Sequence, residues 1–248
     1  MFRPLILCAV ALLCGAGHAD AATPGKAKDR PATAEKTPQP PREDDRPIPD
    51  KSIYRLPGGK AHTSMFGIEA EGYKFVYVLD RSASMGGPGA AALKAAKAEL
   101  IASLNNLERT HQFQIVVYND RPTMFNPTGD PQRAVFATEQ NKEEAAKFIE
   151  SIAPFGGTQH DDALVMAVKL CPNVIFWLTD ADDPKLGAAK QERVNRMAAG
   201  ITIHAVEFGG GPQADANNFL VKIARESGGK HAYVDVSKLP AASGDKPR

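Results

Sequence analysis

Two uninterrupted apolar runs, each leading into an aspartate, constrain the fold of this chain most strongly. The first covers residues 75–79 and is followed by Asp80, and the second covers residues 174–178 and is followed by Thr179 and Asp180. A strand that is buried on both faces reads as a continuous apolar run. The two runs therefore predict two central strands of a parallel sheet, lying side by side.

The segments around these runs alternate between strand and helix patterns from residue 60 to residue 238. Leucine and alanine recur at helical spacing between the short apolar segments. This alternation predicts an α/β domain with a doubly wound, mostly parallel sheet and helices on both faces. Residues 63–68 are predicted to add an antiparallel edge strand.

The two ends of the chain have the composition of a leader and of linkers. Residues 1–21 combine Arg3, a short apolar core and an Ala-x-Ala site that ends at Ala21, which is the pattern of a cleaved signal peptide. Residues 22–55 are rich in proline and charge and are predicted to be a disordered linker. Residues 239–248 are predicted to be a disordered tail. The protein is therefore expected to be exported, to the periplasm, the cell envelope or the extracellular space.

Charge and cysteine content exclude several classes of function. The 248 residues carry 30 Lys and Arg against 29 Asp and Glu, so there is no electrostatic signature of nucleic-acid or anionic-membrane binding. No second apolar run is long enough for a membrane span. Three cysteines are too few for a disulfide scaffold or a four-cysteine zinc site.

Oxygen-bearing side chains follow the two central runs. Asp80, Ser82 and Ser84 alternate after the first run, where an extended turn would let them face one side. Asp180 follows the second run, and Thr158 comes just after two glycines at the start of a predicted helix. Ligand sites of doubly wound folds lie beyond the carboxyl ends of the strands. The set predicts a site for a hard divalent cation, namely Mg²⁺, Mn²⁺ or Ca²⁺.

In these motifs the chain resembles the von Willebrand factor type A (vWA) domain family. Residues 80–84 look like the Asp-x-Ser-x-Ser element of its metal-ion-dependent adhesion site (MIDAS), Thr158 is similar to its threonine before an Ala-Leu helix, and Asp180 to its Thr-Asp strand end. The resemblance covers about residues 60–238. It departs at Ala83 and Ala181, where glycine is usual.

The resemblance implies both a fold and a function. The fold is a Rossmann-like, six-stranded sheet with one antiparallel edge strand. The metal-binding residues are then Asp80, Ser82, Ser84, Thr158 and Asp180, with the hydroxyls on or near the ion and the two carboxylates acting largely through water. An ion held by neutral hydroxyls keeps much of its charge, so the expected role is to bind a carboxylate on a partner protein, without catalysis.

Two other interpretations remain open at this point. In a metal-dependent hydrolase or phosphotransferase, Asp80 would be the nucleophile and Asp180, Asp182 and Asp183 would hold Mg²⁺. His160 is the one visible candidate base, although a position on the solvent side of the helix start is favoured for it. The other interpretation is a structural domain whose site binds nothing.

Overall fold

The computed structural model of the protein describes residues 59–129, 133–181 and 184–239. The predicted signal peptide (1–21), the predicted linker (22–55) and residues 240–248 of the predicted tail lie outside the described residues. So do Asp182 and Asp183.

Nine strands and five α-helices follow one another along the described chain. The strands are β1 (Ala61–Met65), β2 (Ile68–Gly72), β3 (Lys74–Asp80), β4 (Gln112–Tyr118), β5 (Pro122–Met124), β6 (Val135–Phe136), β7 (Val174–Thr179), β8 (Thr202–Gly209) and β9 (His231–Asp235). The helices are α1 (Ala91–Asn105), α2 (Glu139–Ser151), α3 (His160–Lys169), α4 (Ala188–Met197) and α5 (Phe219–Glu226).

The main sheet has the strand order β5-β4-β3-β7-β8-β9, and all neighbours from β4 to β9 run parallel. Strands β3 and β7 pair directly, from Phe75 opposite Val174 to Leu79 opposite Leu178. The predicted α/β class, and the predicted adjacency of the two central strands, are therefore confirmed.

Each central strand contributes to a core on both faces of the sheet. Phe75, Tyr77 and Leu79 pack in one buried cluster with apolar residues of α1 and α2. Val76 and Val78 pack in a second cluster with residues of α3, α4 and α5. Every second side chain of an extended strand points to the same face, so a strand covered on both faces must be apolar throughout.

The prediction that residues 63–68 form an edge strand of the main sheet is wrong. Strands β1 and β2 instead form a separate antiparallel hairpin, closed by a turn in which Phe66 and Gly67 both have positive φ. The hairpin contacts α1, where the Thr63 hydroxyl of β1 donates to the Ser103 carbonyl at 2.9 Å. The antiparallel pairings of the main sheet are made by β5 and β6, which both pair with β4.

None of the helices within residues 59–129, 133–181 and 184–239 is both long enough and apolar enough to cross a membrane.

A buried histidine in β8 is expected to make stability depend on pH. His204 is 5% exposed, and its Nδ1 accepts from the Lys230 amide at 3.0 Å. Burial, together with the charge of Lys230, lowers the pKa of His204 from 6.5 to about 4. Between pH 6.5 and 4, His204 is therefore protonated in the unfolded chain but stays neutral in the native state. The free energy of unfolding falls as the pH drops through this range.

The variant His204→Asn keeps an acceptor near the position of Nδ1 and removes the titrating group. Urea unfolding at pH 7 and pH 5 should show that the wild type loses about 1 kcal/mol more than the variant, since solvent screens part of the shift. An equal loss in both proteins would contradict this assignment.

Candidate metal centre

The candidate centre is built at the carboxyl ends of β3 and β7. Because the two strands pair with Leu79 opposite Leu178, Thr179 lies beside Asp80, and Asp180 follows one residue later. Asp80 and Thr179 are both fully buried, and Asp180 is partly buried. The sheet therefore brings the ends of the two predicted motifs together.

The carboxylate of Asp80 is fixed by one hydrogen bond to each oxygen. Its Oδ1 accepts from the backbone amide of Ser82 at 2.8 Å, and its Oδ2 accepts from the hydroxyl of Thr179 at 2.6 Å. Burial raises the pKa of Asp80, although these hydrogen bonds oppose the shift. Asp80 is thus an oriented acceptor group that is costly to bury in its charged form.

The two serine hydroxyls lie side by side. Ser82 Oγ is 3.0 Å from Ser84 Oγ, with Ser82 buried and Ser84 exposed. The expected extended turn is wrong, since Ala83–Gly86 forms a 3₁₀ turn that begins after Ser82. The hydroxyls nevertheless face one another because this turn is tight.

The loop that precedes Thr158 is bonded to the Asp-x-Ser-x-Ser segment. The Phe155 amide donates to the Arg81 carbonyl at 2.9 Å, and the Ala83 amide donates to the Gly156 carbonyl at 3.0 Å. These two bonds join the segment before Thr158 to the Asp-x-Ser-x-Ser segment. The Thr158 side chain is 6% exposed.

The end of β4 supports the same loop from its other side. The Asn119 side chain donates to the Phe155 carbonyl at 3.0 Å, and the Asn119 carbonyl accepts from the Gln159 amide at 2.8 Å. The Asp120 carboxylate accepts from the Gly157 amide at 3.1 Å. The residues on both sides of Thr158 are therefore bonded to the segments that follow β3 and β4.

Asp180 faces the same buried phenol as Asp80. Burial, and then the negative charges of Asp80 and Asp180, keep the pKa of Tyr118 well above its ordinary value. The following Ala181 has φ of 57°, so the chain turns there in the left-handed region that glycine usually occupies. The sequence departure at Ala181 is thus accommodated with a strained backbone and without loss of an oxygen donor.

This donor set suits a hard cation better than a soft one. All of its donors are oxygens, which Mg²⁺, Mn²⁺ and Ca²⁺ prefer, and the Ser82 and Ser84 hydroxyls lie at hydrogen-bond distance from each other, 3.0 Å. Across residues 59–129, 133–181 and 184–239 there is no group of three His, Cys, Asp or Glu side chains suited to a metal. Three of the five predicted metal-binding residues, Ser82, Ser84 and Thr158, carry hydroxyls.

Sequence reasoning missed Thr179 as part of the centre. The sequence identifies it only as the residue before Asp180, yet its hydroxyl donates to Asp80 and accepts from the Ala181 amide at 3.2 Å. The signal was available, because aligning the carboxyl ends of the two apolar runs places Thr179 opposite Asp80.

The expectation that His160 lies on the solvent side is wrong. His160 is 2% exposed, and its Nδ1 lies 2.9 Å from the Tyr118 hydroxyl, which also accepts from Trp177 Nε1 at 2.9 Å. Its spacing from Leu164 and Val168 puts it on the buried stripe of α3, a pattern that the sequence already contained. His160 is therefore a packed, hydrogen-bonded group beneath the centre.

Comparison with protein families agrees with the motifs. The family model described as the von Willebrand factor type A domain matches residues 75–241, which is more than half of the chain.

Known proteins extend the comparison. The human inter-alpha-trypsin inhibitor heavy chain H4 is 29% identical over 173 residues, covering 62% of this chain and 17% of that protein. The chain therefore spans less than a fifth of the length of this curated relative. A solved von Willebrand factor type A structure from Catenulispora acidiphila superposes with a TM-score of 0.58 at 20% identity, covering 73% of this chain and 43% of that one. BatB from Bacteroides thetaiotaomicron superposes with a TM-score of 0.50 at 18% identity, covering 66% and 91%.

Proposed function

Because the chain belongs to the von Willebrand factor type A family, we propose that it is an exported binding protein that uses a bound divalent cation to hold an acidic group of a partner protein. Domains of this family typically act in protein–protein interaction and adhesion. The observation that carries the proposal is the convergence of the Ser82, Ser84 and Thr158 loops beside a fully buried, doubly hydrogen-bonded Asp80.

Each residue of the centre has a distinct role in the proposal. Ser82, Ser84 and Thr158 hold the cation through their hydroxyls, and Asp80 and Asp180 orient water and balance charge. When bound, Mg²⁺, Mn²⁺ or Ca²⁺ supplies a positive centre with an open coordination position for the partner's carboxylate. The hydroxyl ligands are neutral and the two carboxylates act through water, so the ion keeps part of its positive charge and attracts this carboxylate.

The position of Asp80 disfavours the hydrolase alternative. A nucleophilic carboxylate needs an oxygen that can reach substrate, whereas Asp80 is fully buried and both of its oxygens accept hydrogen bonds. His160, the one base that the sequence offered, points its Nδ1 at the Tyr118 hydroxyl. A binding module accounts for these contacts better than a hydrolase.

Export of the protein is part of the proposal. It rests on the basic, apolar and Ala-x-Ala pattern of residues 1–21. The periplasm, the cell envelope and the extracellular space are all consistent with this pattern.

The variant Ser84→Ala tests the function directly. It removes one exposed hydroxyl from the centre, and Ser64→Ala removes an exposed hydroxyl from β1 as the matched control. Ser84→Ala should lower Mg²⁺ affinity by calorimetry about tenfold or more, because a ligand is lost. The same variant should lose the proteins that immobilised wild type captures from an extract of the source organism and releases with EDTA. Unchanged Mg²⁺ affinity and unchanged EDTA-sensitive capture in Ser84→Ala would reject the function.

A further inference from the structure

An exposed aromatic ring stands beside the candidate centre. In the described part of the chain the large, exposed apolar side chains are Phe136, Phe155 and Met197, and Phe155 is the most exposed of them at 52%. Phe155 lies in the loop that carries Thr158, whereas Phe136 lies in β6 and pairs with the opposite end of β4. An apolar ring in contact with water next to a ligand site is a feature of interaction surfaces.

The ring of Phe155 is held in place by its surroundings. Its backbone amide donates to the Arg81 carbonyl at 2.9 Å, and its carbonyl accepts from the Asn119 side chain at 3.0 Å. The Arg81 guanidinium carbon lies 4.1 Å from the centre of the ring, which is a cation–π contact. A ring fixed in this way loses little conformational entropy when a partner covers it.

Arg81 lies between two residues of the candidate centre. It follows Asp80 and precedes Ser82, so its position is set by the turn that places the serine hydroxyls. Its guanidinium lies over the exposed Phe155 ring, so the surface at that ring favours a nearby carboxylate and disfavours lysine or arginine.

We propose that Phe155 and Arg81 form a recognition platform for an acidic peptide segment in which a large aromatic side chain neighbours the metal-binding Asp or Glu. The partner's ring packs against Phe155, while the neighbouring carboxylate reaches the cation between Ser82, Ser84 and Thr158. Arg81 keeps the Phe155 ring in place and repels lysine or arginine at that position. This inference rests on the proposed function and specifies the chemistry of the partner.

Three blocked peptides test the platform, with the central sequences Phe-Asp-Phe, Ala-Asp-Ala and Phe-Asn-Phe. Placing phenylalanine on both sides of the acid makes the test independent of chain direction. Binding to the full mature chain would be followed by NMR titration, with Mg²⁺ and with EDTA. With Mg²⁺, Phe-Asp-Phe should bind about fivefold to tenfold more tightly than Ala-Asp-Ala, because one ring contact is added, and Phe-Asn-Phe should bind more weakly than either.

The variant Phe155→Ala should remove the preference for Phe-Asp-Phe over Ala-Asp-Ala, and Phe136→Ala should retain it. Equal affinity of the wild type for Phe-Asp-Phe and Ala-Asp-Ala, or a preference that survives Phe155→Ala, would overturn the platform and leave the metal-dependent function standing. Peptide binding that is unaffected by EDTA, or no binding to the Mg²⁺-loaded wild type, would overturn the proposed function and the platform with it.

Discussion

Replacing Asp80 by asparagine is expected to lower Mg²⁺ affinity about tenfold to hundredfold while the domain stays folded. The asparagine oxygen can still accept from the Ser82 amide, and its amide group can donate to the Thr179 hydroxyl, so both existing contacts retain a partner. What disappears is the negative charge that balances the cation. Calorimetric titration with Mg²⁺ measures the loss.

The same variant should not lose stability in the absence of metal. Burial raises the pKa of Asp80, so the native state binds its proton more readily than the unfolded chain does. The stability of the wild type therefore falls as the pH rises from the unfolded pKa towards the folded pKa, and the deficit persists at neutral pH. Asp80→Asn lacks this penalty, so its free energy of unfolding at pH 7 in EDTA should equal or exceed that of the wild type.

Asp215 provides a matched control for this experiment. Its Oδ1 accepts from the amide two residues later, that of Asn217, at 2.9 Å, as Asp80 does from Ser82, and it lies outside the candidate centre. Asp215→Asn should leave Mg²⁺ affinity unchanged. An equal loss of affinity in both variants, or no loss in Asp80→Asn, would show that the charge of Asp80 does not serve the centre.

The substitution Gly156→Ala should damage the centre through the loop that carries Thr158. Gly156 has φ of 79°, and a Cβ there would lie 2.5 Å from Asp120 Oδ2 and 2.9 Å from Asn119 Nδ2. These are the side chains that hold the loop, so they cannot move away without releasing Gly157 and Phe155. Mg²⁺ affinity should fall about tenfold through displacement of Thr158, and stability should fall by about 1–2 kcal/mol.

Gly129→Ala is the control for Gly156→Ala, because it introduces backbone strain without displacing the loop that carries Thr158. Gly129 has φ of 76°, but apart from its chain neighbours no atom of the described residues lies within 4 Å of a Cβ built there. Its substitution should cost a similar backbone strain and leave Mg²⁺ affinity at the wild-type value. If Gly156→Ala also bound Mg²⁺ with unchanged affinity in the same titration, the position of Thr158 would not matter to the centre.

The sequence was sufficient for the parts of the fold that depend on local pattern. Two apolar runs that are covered on both faces can only be central strands of a layered α/β domain, and the structure pairs them directly. Residues 63–68 could not be placed in the same way. Their alternating burial suits either an edge strand or a separate hairpin, and the bond from Thr63 to α1 that decides between them is a tertiary contact.

In the candidate centre, too, the features set by local sequence could be predicted and those set by tertiary contacts could not. The Asp-x-Ser-x-Ser spacing predicted that Asp80, Ser82 and Ser84 lie close together, and the contacts from Ser82 to Asp80 and to Ser84 agree with this. The contribution of Thr179 depends on the register of β3 against β7, and the exposure of Phe155 depends on its loop being bonded to Arg81. Both are contacts between distant parts of the chain, which periodicity along one segment does not reveal.

Crystals grown with MnCl₂ would show whether Ser82, Ser84 and Thr158 hold a divalent cation, through anomalous diffraction at the manganese absorption edge. We expect one strong peak within about 2.6 Å of the three hydroxyl oxygens, and its loss in crystals of Ser84→Ala. A structure at saturating Mn²⁺ with no peak between these three hydroxyls, or with its ion bound elsewhere on the chain, would contradict this expectation.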